Sequence, residues 1–383
     1  MAELTPKEAA NLARKVYDVK TELTWNAMLN QIASDPSLAG FNQNPSKGIG
    51  KSGWGQTSGF AYMAHGCGTH SGERLVAIRG TASLADGLTD VRCSFTYSPS
   101  GYVVHRGFAL AFESIKPDID KFFKQAGSQS SQVHVVGHSL GGAIACLTAE
   151  YLSLLGNNVT LYTFGCPRVG NGAYASAMDK LLGTHNIHRV YHEADPVSMI
   201  PLYPFVPVSN SCLGHKLPWK GIMGSPHAHF MDNYIATLAD CSWRSLPTVQ
   251  NHDFFASMEA WLEQAGKDGG TVKMYSCASL NQIFKALKWV LESMHNLGAA
   301  MAQFAFSGGI ILIDVLAYLL YQGSLLGVTI AGYVKAILKA ILKFLGRAVD
   351  SIQNVTVAFI KYVLDMFFRL LASAASRAIN LIA

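Results

Sequence analysis

Ser139 sits in Gly137-His138-Ser139-Leu140-Gly141, the arrangement in this chain best suited to nucleophilic chemistry. Small residues two before and two after a serine let the backbone turn sharply without steric collision. The spacing alone is weak, because about a tenth of the chain is glycine. Its surroundings strengthen it. The apolar run Val133–Val136 reads as a strand, and Gly141-Gly142-Ala143-Ile144-Ala145 reads as the start of a helix. Strand, elbow and helix in that order lift the Ser139 hydroxyl out of a sheet. They also place a helix N-terminus beneath it, where developing negative charge is stabilised.

A neutral serine is a poor nucleophile, so a histidine base and an orienting carboxylate should follow along the chain. Asp195 comes just after the strand-like His188–Tyr191, at the sheet edge where such a site is built. Asp179 lies in a helical stretch, and Glu193 is near enough to serve in place of Asp195. Residue type and spacing leave the base open among His215, His227, His229 and His252.

The elements that must hold these residues follow from periodicity. Short apolar runs at Phe60–Ala64, Leu75–Ile78, Val133–Val136, Val159–Phe164 and His188–Tyr191 alternate with helical patterns at 107–125 and 140–155. That alternation implies an α/β fold on a mostly parallel central sheet. Thr5, Pro6 and Glu8 have the spacing of a capping box opening a helix over 5–17. The Gly-, Ser-, Asn- and Pro-rich stretch 35–58 reads as loop. Strand signals stop near residue 240, and 251–265 and 279–295 look helical.

Composition separates body from tail. Half of the 383 residues are hydrophobic and 14% are charged, against about a quarter in ordinary globular chains. Residues 1–279 balance 21 Lys and Arg against 21 Asp and Glu, whereas 280–383 carry 9 against 4. A neutral body with a basic, oily tail suits an anionic lipid surface rather than nucleic acid. Residues 315–334 are free of charge, long enough to span a bilayer, with Asp314 just before them. Gly308-Gly309 and Gly323-Ser324 are candidate breaks between two hydrophobic helices. Lys335, Lys339, Lys343 and Arg347 then recur every fourth residue among Ile and Leu, the pattern of a basic amphipathic helix over 333–347. The expectation is a hydrolase unit over 1–275 and a helical, membrane-interacting unit over 276–383, meeting the bilayer through 297–347. The oily stretch 199–226 reads either as pocket wall or as ordinary core.

Cys67, Cys93, Cys146, Cys166, Cys212, Cys241 and Cys277 are scattered and odd in number, which argues against a disulfide framework or a structural zinc site. No metal, phosphate-loop or cofactor motif is found. The N-terminal residues lack an apolar core of signal-peptide type, so no signal peptide is expected.

Seven segments, taken in order, resemble the class 3 lipase family over residues 58–240. They are ValAlaIleArgGlyThr at 76–81, LeuAlaAspGlyLeuThrAspVal at 84–91, ValHisArgGlyPhe at 104–108 and GlyHisSerLeuGlyGly at 137–142. ThrPheGlyCysProArgValGlyAsn at 163–171, GluAlaAspProVal at 193–197 and HisPheMetAspAsnTyr at 229–234 complete the series. The resemblance implies an α/β-hydrolase fold in which Ser139 is the nucleophile, Asp195 the acid and His229 the base. His229 is preferred because the family sets its base five residues before a tyrosine, here Tyr234. It also implies an oxyanion hole from Thr81 and the Leu140 N–H. Gly87 stands where the family has Trp, which puts the usual lid contact in doubt. The implied substrate is a membrane phospholipid or a glyceride, cleaved as by a phospholipase A or a glycerolipid lipase. The rival readings are a membrane-inserting, pore-forming protein in which hydrolysis is secondary, and a triacylglycerol lipase or soluble esterase. A membrane-seeking tail without a signal peptide is also similar to antibacterial lipase effectors, which implies an immunity or chaperone partner.

Overall fold

The computed structural model describes residues 3–51, 57–80, 95–125, 132–220, 223–250, 258–267, 272–294, 312–348, 352 and 354–382. Val133 and Val135 face one apolar cluster while Val136 faces another, as the two-residue repeat of an extended chain requires. The same division runs through the neighbouring strands, so the sheet is buried on both faces. Buried parallel strands of this kind read as continuous apolar runs, and this is why they are recognisable in the sequence.

Ten strands are described: β1 (Phe41–Lys51), β2 (Thr57–Gly66), β3 (Arg74–Ile78), β4 (Phe95–Tyr97), β5 (Val103–His105), β6 (Gln132–His138), β7 (Asn158–Phe164), β8 (Ile187–His192), β9 (Cys212–Leu217) and β10 (Thr248–Gln250). Eight of them form one sheet in the order β1-β2-β3-β6-β7-β8-β9-β10, and β4 and β5 pair separately. β3, β6, β7, β8 and β9 run parallel, and antiparallel strands flank them on both sides. The fold is an α/β-hydrolase with a mostly parallel central sheet. Helices α1 (Pro6–Lys15) and α2 (Glu22–Gln31) precede the sheet, and α3 (Arg106–Gln125), α4 (Leu140–Leu154), α5 (Gly172–Leu182) and α6 (Met231–Leu238) are threaded through it. α3 and α4 cover one face, and α1 and α6 cover the other. The α1 capping box forms as expected, with the Glu8 N–H on Thr5 Oγ1 and the Thr5 N–H on Glu8 Oε2.

The expected loop over 35–58 is corrected. β1 occupies Phe41–Lys51 within it, an edge strand with several register shifts against β2. Edge strands need no apolar alternation, and glycine here serves close approach. A Cβ on Gly48 would lie 2.8 Å from Cβ of Ala61, and one on Gly50 2.5 Å from the Phe60 ring. Strand structure also continues past residue 240, in the three-residue β10.

The remaining helices are α7 (Met258–Gly266), α8 (Cys277–Glu292), α9 (Leu312–Leu325), α10 (Val328–Phe344) and α11 (Val357–Asn380). The charge-free run divides between α9 and α10 at Gly327, whose φ of 149° favours glycine. Gly323-Ser324 stays within α9, and Gly308-Gly309 lie outside the described residues. Among the described residues no helix is long and apolar enough to cross a membrane. Leu316 and Leu320 of α9, Ile337 and Ile341 of α10, and Phe367 and Leu371 of α11 are fully buried. They join one apolar cluster with Val197, Met199, Leu202, Phe205 and Met223 of the preceding sheet-bearing segment. Leu202 and Met223 of the oily stretch are therefore core, Met199 and Phe205 pack in the core and also line a cavity, and Ile222 lies outside the described residues. The basic stripe does not form a free face. Lys339 Nζ donates to the Gly266 carbonyl and Lys343 Nζ to that of Ala265, both at 3.2 Å, so the two lysines cap the end of α7. Asp314 is part-exposed and pairs with Lys361.

Candidate active site

Ser139 follows the last residue of β6 and immediately precedes α4. Its φ of 58° and ψ of −134° form a strained elbow, held by its neighbours. A Cβ on Gly137 would lie 2.4 Å from the Gly141 carbonyl oxygen, and one on Gly141 2.3 Å from that of Ile78. The two glycines therefore let strand, helix and β3 close on one another. Leu140 begins α4, so its N–H belongs to the first turn, where helices lack internal acceptors.

The structure brings Ser139, His229 and Asp195 together. Ser139 Oγ lies 2.8 Å from His229 Nε2, and His229 Nδ1 lies 2.8 Å from Asp195 Oδ2. An ionised carboxylate only accepts, so Nδ1–H donates to Asp195 and Nε2 is left to accept from the serine hydroxyl. Asp195 is itself fixed from two further directions. The Val197 N–H donates to Oδ1 at 2.9 Å, and the Tyr234 hydroxyl donates to Oδ2 at 2.7 Å. Burial, and then the Asp195 carboxylate, push the Tyr234 hydroxyl well above its ordinary pKa, so it stays a donor. Gly165, with φ of 54°, leaves room for the pair. A Cβ there would lie 2.5 Å from Asp195 Oδ2 and 2.8 Å from His229 Nδ1.

The rivals go elsewhere. Asp179 accepts from Ser209, Asn210 and Ser211 on the side of α5. Glu193 pairs with Lys216 at 3.5 Å. His215 stacks beside His188 and Trp243, His227 is exposed, and His252 lies outside the described residues. Thr81 and Gly87 also lie outside them. The residue before Thr81 is described: a Cβ on Gly80 would lie 2.9 Å from Cβ of Ser139. Buried Arg79 fixes this strand end by donating to the Gly80 carbonyl and the Ser58 hydroxyl, both at 2.7 Å.

Sequence reasoning missed a second relay around the base. The Gly80 N–H donates to the Tyr17 hydroxyl at 3.3 Å, and Tyr17 lies 2.7 Å from His138 Nδ1. His138 Nε2 lies 2.8 Å from the His229 carbonyl, which can only accept. The proton on His138 is therefore on Nε2, and Nδ1 accepts from Tyr17. Burial, followed by the neighbouring His229, holds His138 well below the ordinary histidine pKa and keeps it neutral. His138 lay inside the serine motif, but nothing in the sequence linked it to Tyr17, 121 residues away.

Among the described residues, His70, Glu73 and His134 form a group with the donor types for a metal ion. His70 Nδ1 and His134 Nε2 both meet Glu73 Oε2, at 2.6 and 2.9 Å, so the cluster is satisfied by its own hydrogen bonds. Ser139, Asp195 and His229 are each fully buried. α11 packs over the turn Pro226–His229 and the turn Val197–Met199, covering the loops that carry His229 and Asp195.

Residues 75–205 match the family model described as Lipase (class 3). A secreted mono- and diacylglycerol lipase of Fusarium solani is 34% identical over 136 residues, which are 34% of this chain and 39% of that one. A chloroplastic phospholipase A(1) of Arabidopsis thaliana is 28% identical over 150 residues, 33% of each chain. The crystal structure of mono- and diacylglycerol lipase from Aspergillus oryzae covers 64% of this chain and 84% of its own, with 20% identity and a TM-score of 0.42. The chain spans between a third and a half of the length of the curated relatives it matches.

Proposed function

We propose that the chain, whose residues 75–205 match the class 3 lipase model, hydrolyses acyl esters of membrane lipids through an acyl-enzyme on Ser139. The observation that carries this reading is the Ser139–His229–Asp195 relay, with both contacts at 2.8 Å. In this reading His229 Nε2 takes the serine proton as Oγ attacks the ester carbonyl. The imidazolium so formed is stabilised by Asp195 and then protonates the leaving alcohol. Water activated by the same nitrogen releases the fatty acid. The Leu140 N–H, with Thr81 as second donor, receives the oxyanion. A fully buried serine requires that its cover move before a lipid ester can reach it.

The family resemblance ends near residue 240, and we assign the 276–383 unit to docking at a lipid surface beside the 1–275 hydrolase. Three apolar side chains at the turn between α9 and α10 support this role. Leu325 is 62% exposed, Leu326 64% and Val328 93%. Exposed apolar residues clustered at one tip suit shallow insertion among lipid headgroups.

Product analysis on vesicles of phosphatidylglycerol, vesicles of phosphatidylethanolamine and emulsified triacylglycerol tests the chemistry. Fatty acid should appear from at least one of the three, and Ser139→Ala should lower its rate by about 10⁴-fold or more. Equal release by the variant, or none from any lipid by the parent, overturns the reading. Replacing Leu325, Leu326 and Val328 together with serine should weaken vesicle binding and spare cleavage of a soluble short-chain ester. Unchanged binding counts against the docking role.

A further inference from the structure

Arg168 follows β7, three residues beyond Gly165, and is part-buried. Its Nε is buried and no acceptor meets it. Its guanidinium lies over the Phe284 ring of α8, 4.5 Å from the centroid. No carboxylate among the described residues pairs with it. A cation taken from water without a partner costs several kcal/mol, so such a group is normally matched by an acceptor.

The space beside it is a cavity of about 290 Å³ between the sheet edge and α8. Arg168, Arg189, Lys216, Lys285 and Lys288 line it, with Glu193 as the lone carboxylate of the lining. That carboxylate is engaged by Lys216 at 3.5 Å. Lys288 leans toward Glu292, 3.8 Å away on its own helix. Arg189 is buried, donates to the Ser198 carbonyl at 3.2 Å and lies over the Tyr191 ring, 4.3 Å from its centroid. Burial, and then the nearby Arg189, lower the Arg168 pKa to about 9, in keeping with two cations crowded together. Tyr203, Phe205 and Leu287 complete the walls, so the cavity combines an excess of cations with apolar surface.

We propose that this cavity binds a phosphate-class anion, either free phosphate or the headgroup of an anionic lipid. Arg168 and Arg189 present planar donor groups suited to phosphate oxygens, and the lysines at the rim add charge. The bound group would rest on the loop after β7 and on the turn Val197–Met199 that follows Asp195. This inference is independent of ester hydrolysis, and binding is expected in Ser139→Ala as in the parent.

The test is thermal unfolding of the full chain in sodium phosphate against sodium chloride at matched ionic strength. A second arm uses short-chain diether phosphatidylglycerol, which cannot be hydrolysed, against the matching neutral diether glycerol. Ligand that binds only the folded state raises the unfolding midpoint, here by about 3 °C near saturation. A shift with phosphate assigns the free anion, and a shift with the phospholipid alone assigns the headgroup; either supports the site. Arg168→Gln should raise the Kd at least tenfold while leaving the ligand-free midpoint equal or higher, because it removes a part-buried charge whose Nε meets no acceptor. Should that variant not fold, the rim pair Lys285→Gln and Lys288→Gln carries the test, with a Kd raised about threefold or more. No shift with either probe, or an unchanged Kd in the variants, overturns the proposal.

Discussion

The sheet-bearing part of the chain and its C-terminal helices are both rich in apolar residues, yet they hide them differently. In the first, strands with alternating faces are covered by α1 and α6 on one side and by α3 and α4 on the other. In the second, helices cover one another and then the loops that hold His229 and Asp195. A strand in a parallel sheet has its partners dictated by topology. A helix with an apolar stripe has several admissible partners, among them another helix, a sheet or a membrane. Apolar content therefore identifies an element more readily than it identifies what the element will touch.

The comparison is broken most directly at Phe367. It is fully buried in α11, with ring contacts at 5.8 Å to Phe284 and 5.9 Å to Phe344. If the C-terminal helices are part of the common core, Phe367→Ala should cost about 3–5 kcal/mol. Urea unfolding should then show one transition, shifted equally by tryptophan fluorescence and by far-ultraviolet circular dichroism. Two separate transitions, with the sheet's left in place, would mean that the helices form an independent unit.

Legibility differed between the two parts for the same physical reason. The five strand runs, the serine elbow and helices α3 and α4 could be read because burial on both faces and a strained turn leave few residue choices. Residue type alone left four histidines open, and only the resemblance singled out His229, where the structure has it beside Ser139. β1 escaped because an edge strand can be written in Gly, Asn and Ser. The roles of Tyr17 and His138 escaped because their relay depends on contacts across 121 and 91 residues. In the tail, the charge-free run and the lysine spacing were legible as pattern, but the pattern fits lipid and protein partners alike. α11 falls within the unit read as helical but was given no bounds, although its buried positions 360, 363, 364, 367, 368 and 371 follow helical spacing.

The two parts also treat ionisable groups differently. The sheet-bearing part buries neutral histidines, whereas the ion pairs Asp314–Lys361 and Asp365–Arg369 of the tail reach solvent. Acid sensitivity should therefore reside in the former. His138 titrates near 6.5 when unfolded and well below that when folded. Below pH 6.5 the unfolded chain binds a proton there that the folded chain does not. Its contribution is thus present above 6.5 and lost as pH falls toward the folded value. At pH 5.5 the loss from this one group is on the order of 1 kcal/mol relative to neutral pH. In His138→Asn the stability difference between pH 7.5 and 5.5 should shrink by about that amount, whatever the variant's absolute stability. An unchanged difference would mean that His138 becomes protonated in the folded protein.

The smallest effect bears on the ambiguous stripe. Lys343 caps α7 by donating to the Ala265 carbonyl at 3.2 Å, whereas Arg347, four residues further on and past the end of α10, is exposed. A cation at a helix C-terminus contributes about 0.3–1 kcal/mol. Lys343→Met should therefore lose about that much stability, and Arg347→Met should stay within about 0.5 kcal/mol of the parent. If the stripe instead served only to meet anionic lipid, both substitutions would leave folding alone. Each would then weaken binding to phosphatidylglycerol vesicles by about 1 kcal/mol. Measuring stability and vesicle affinity on the same two variants separates a lysine that holds protein to protein from one that waits for a membrane.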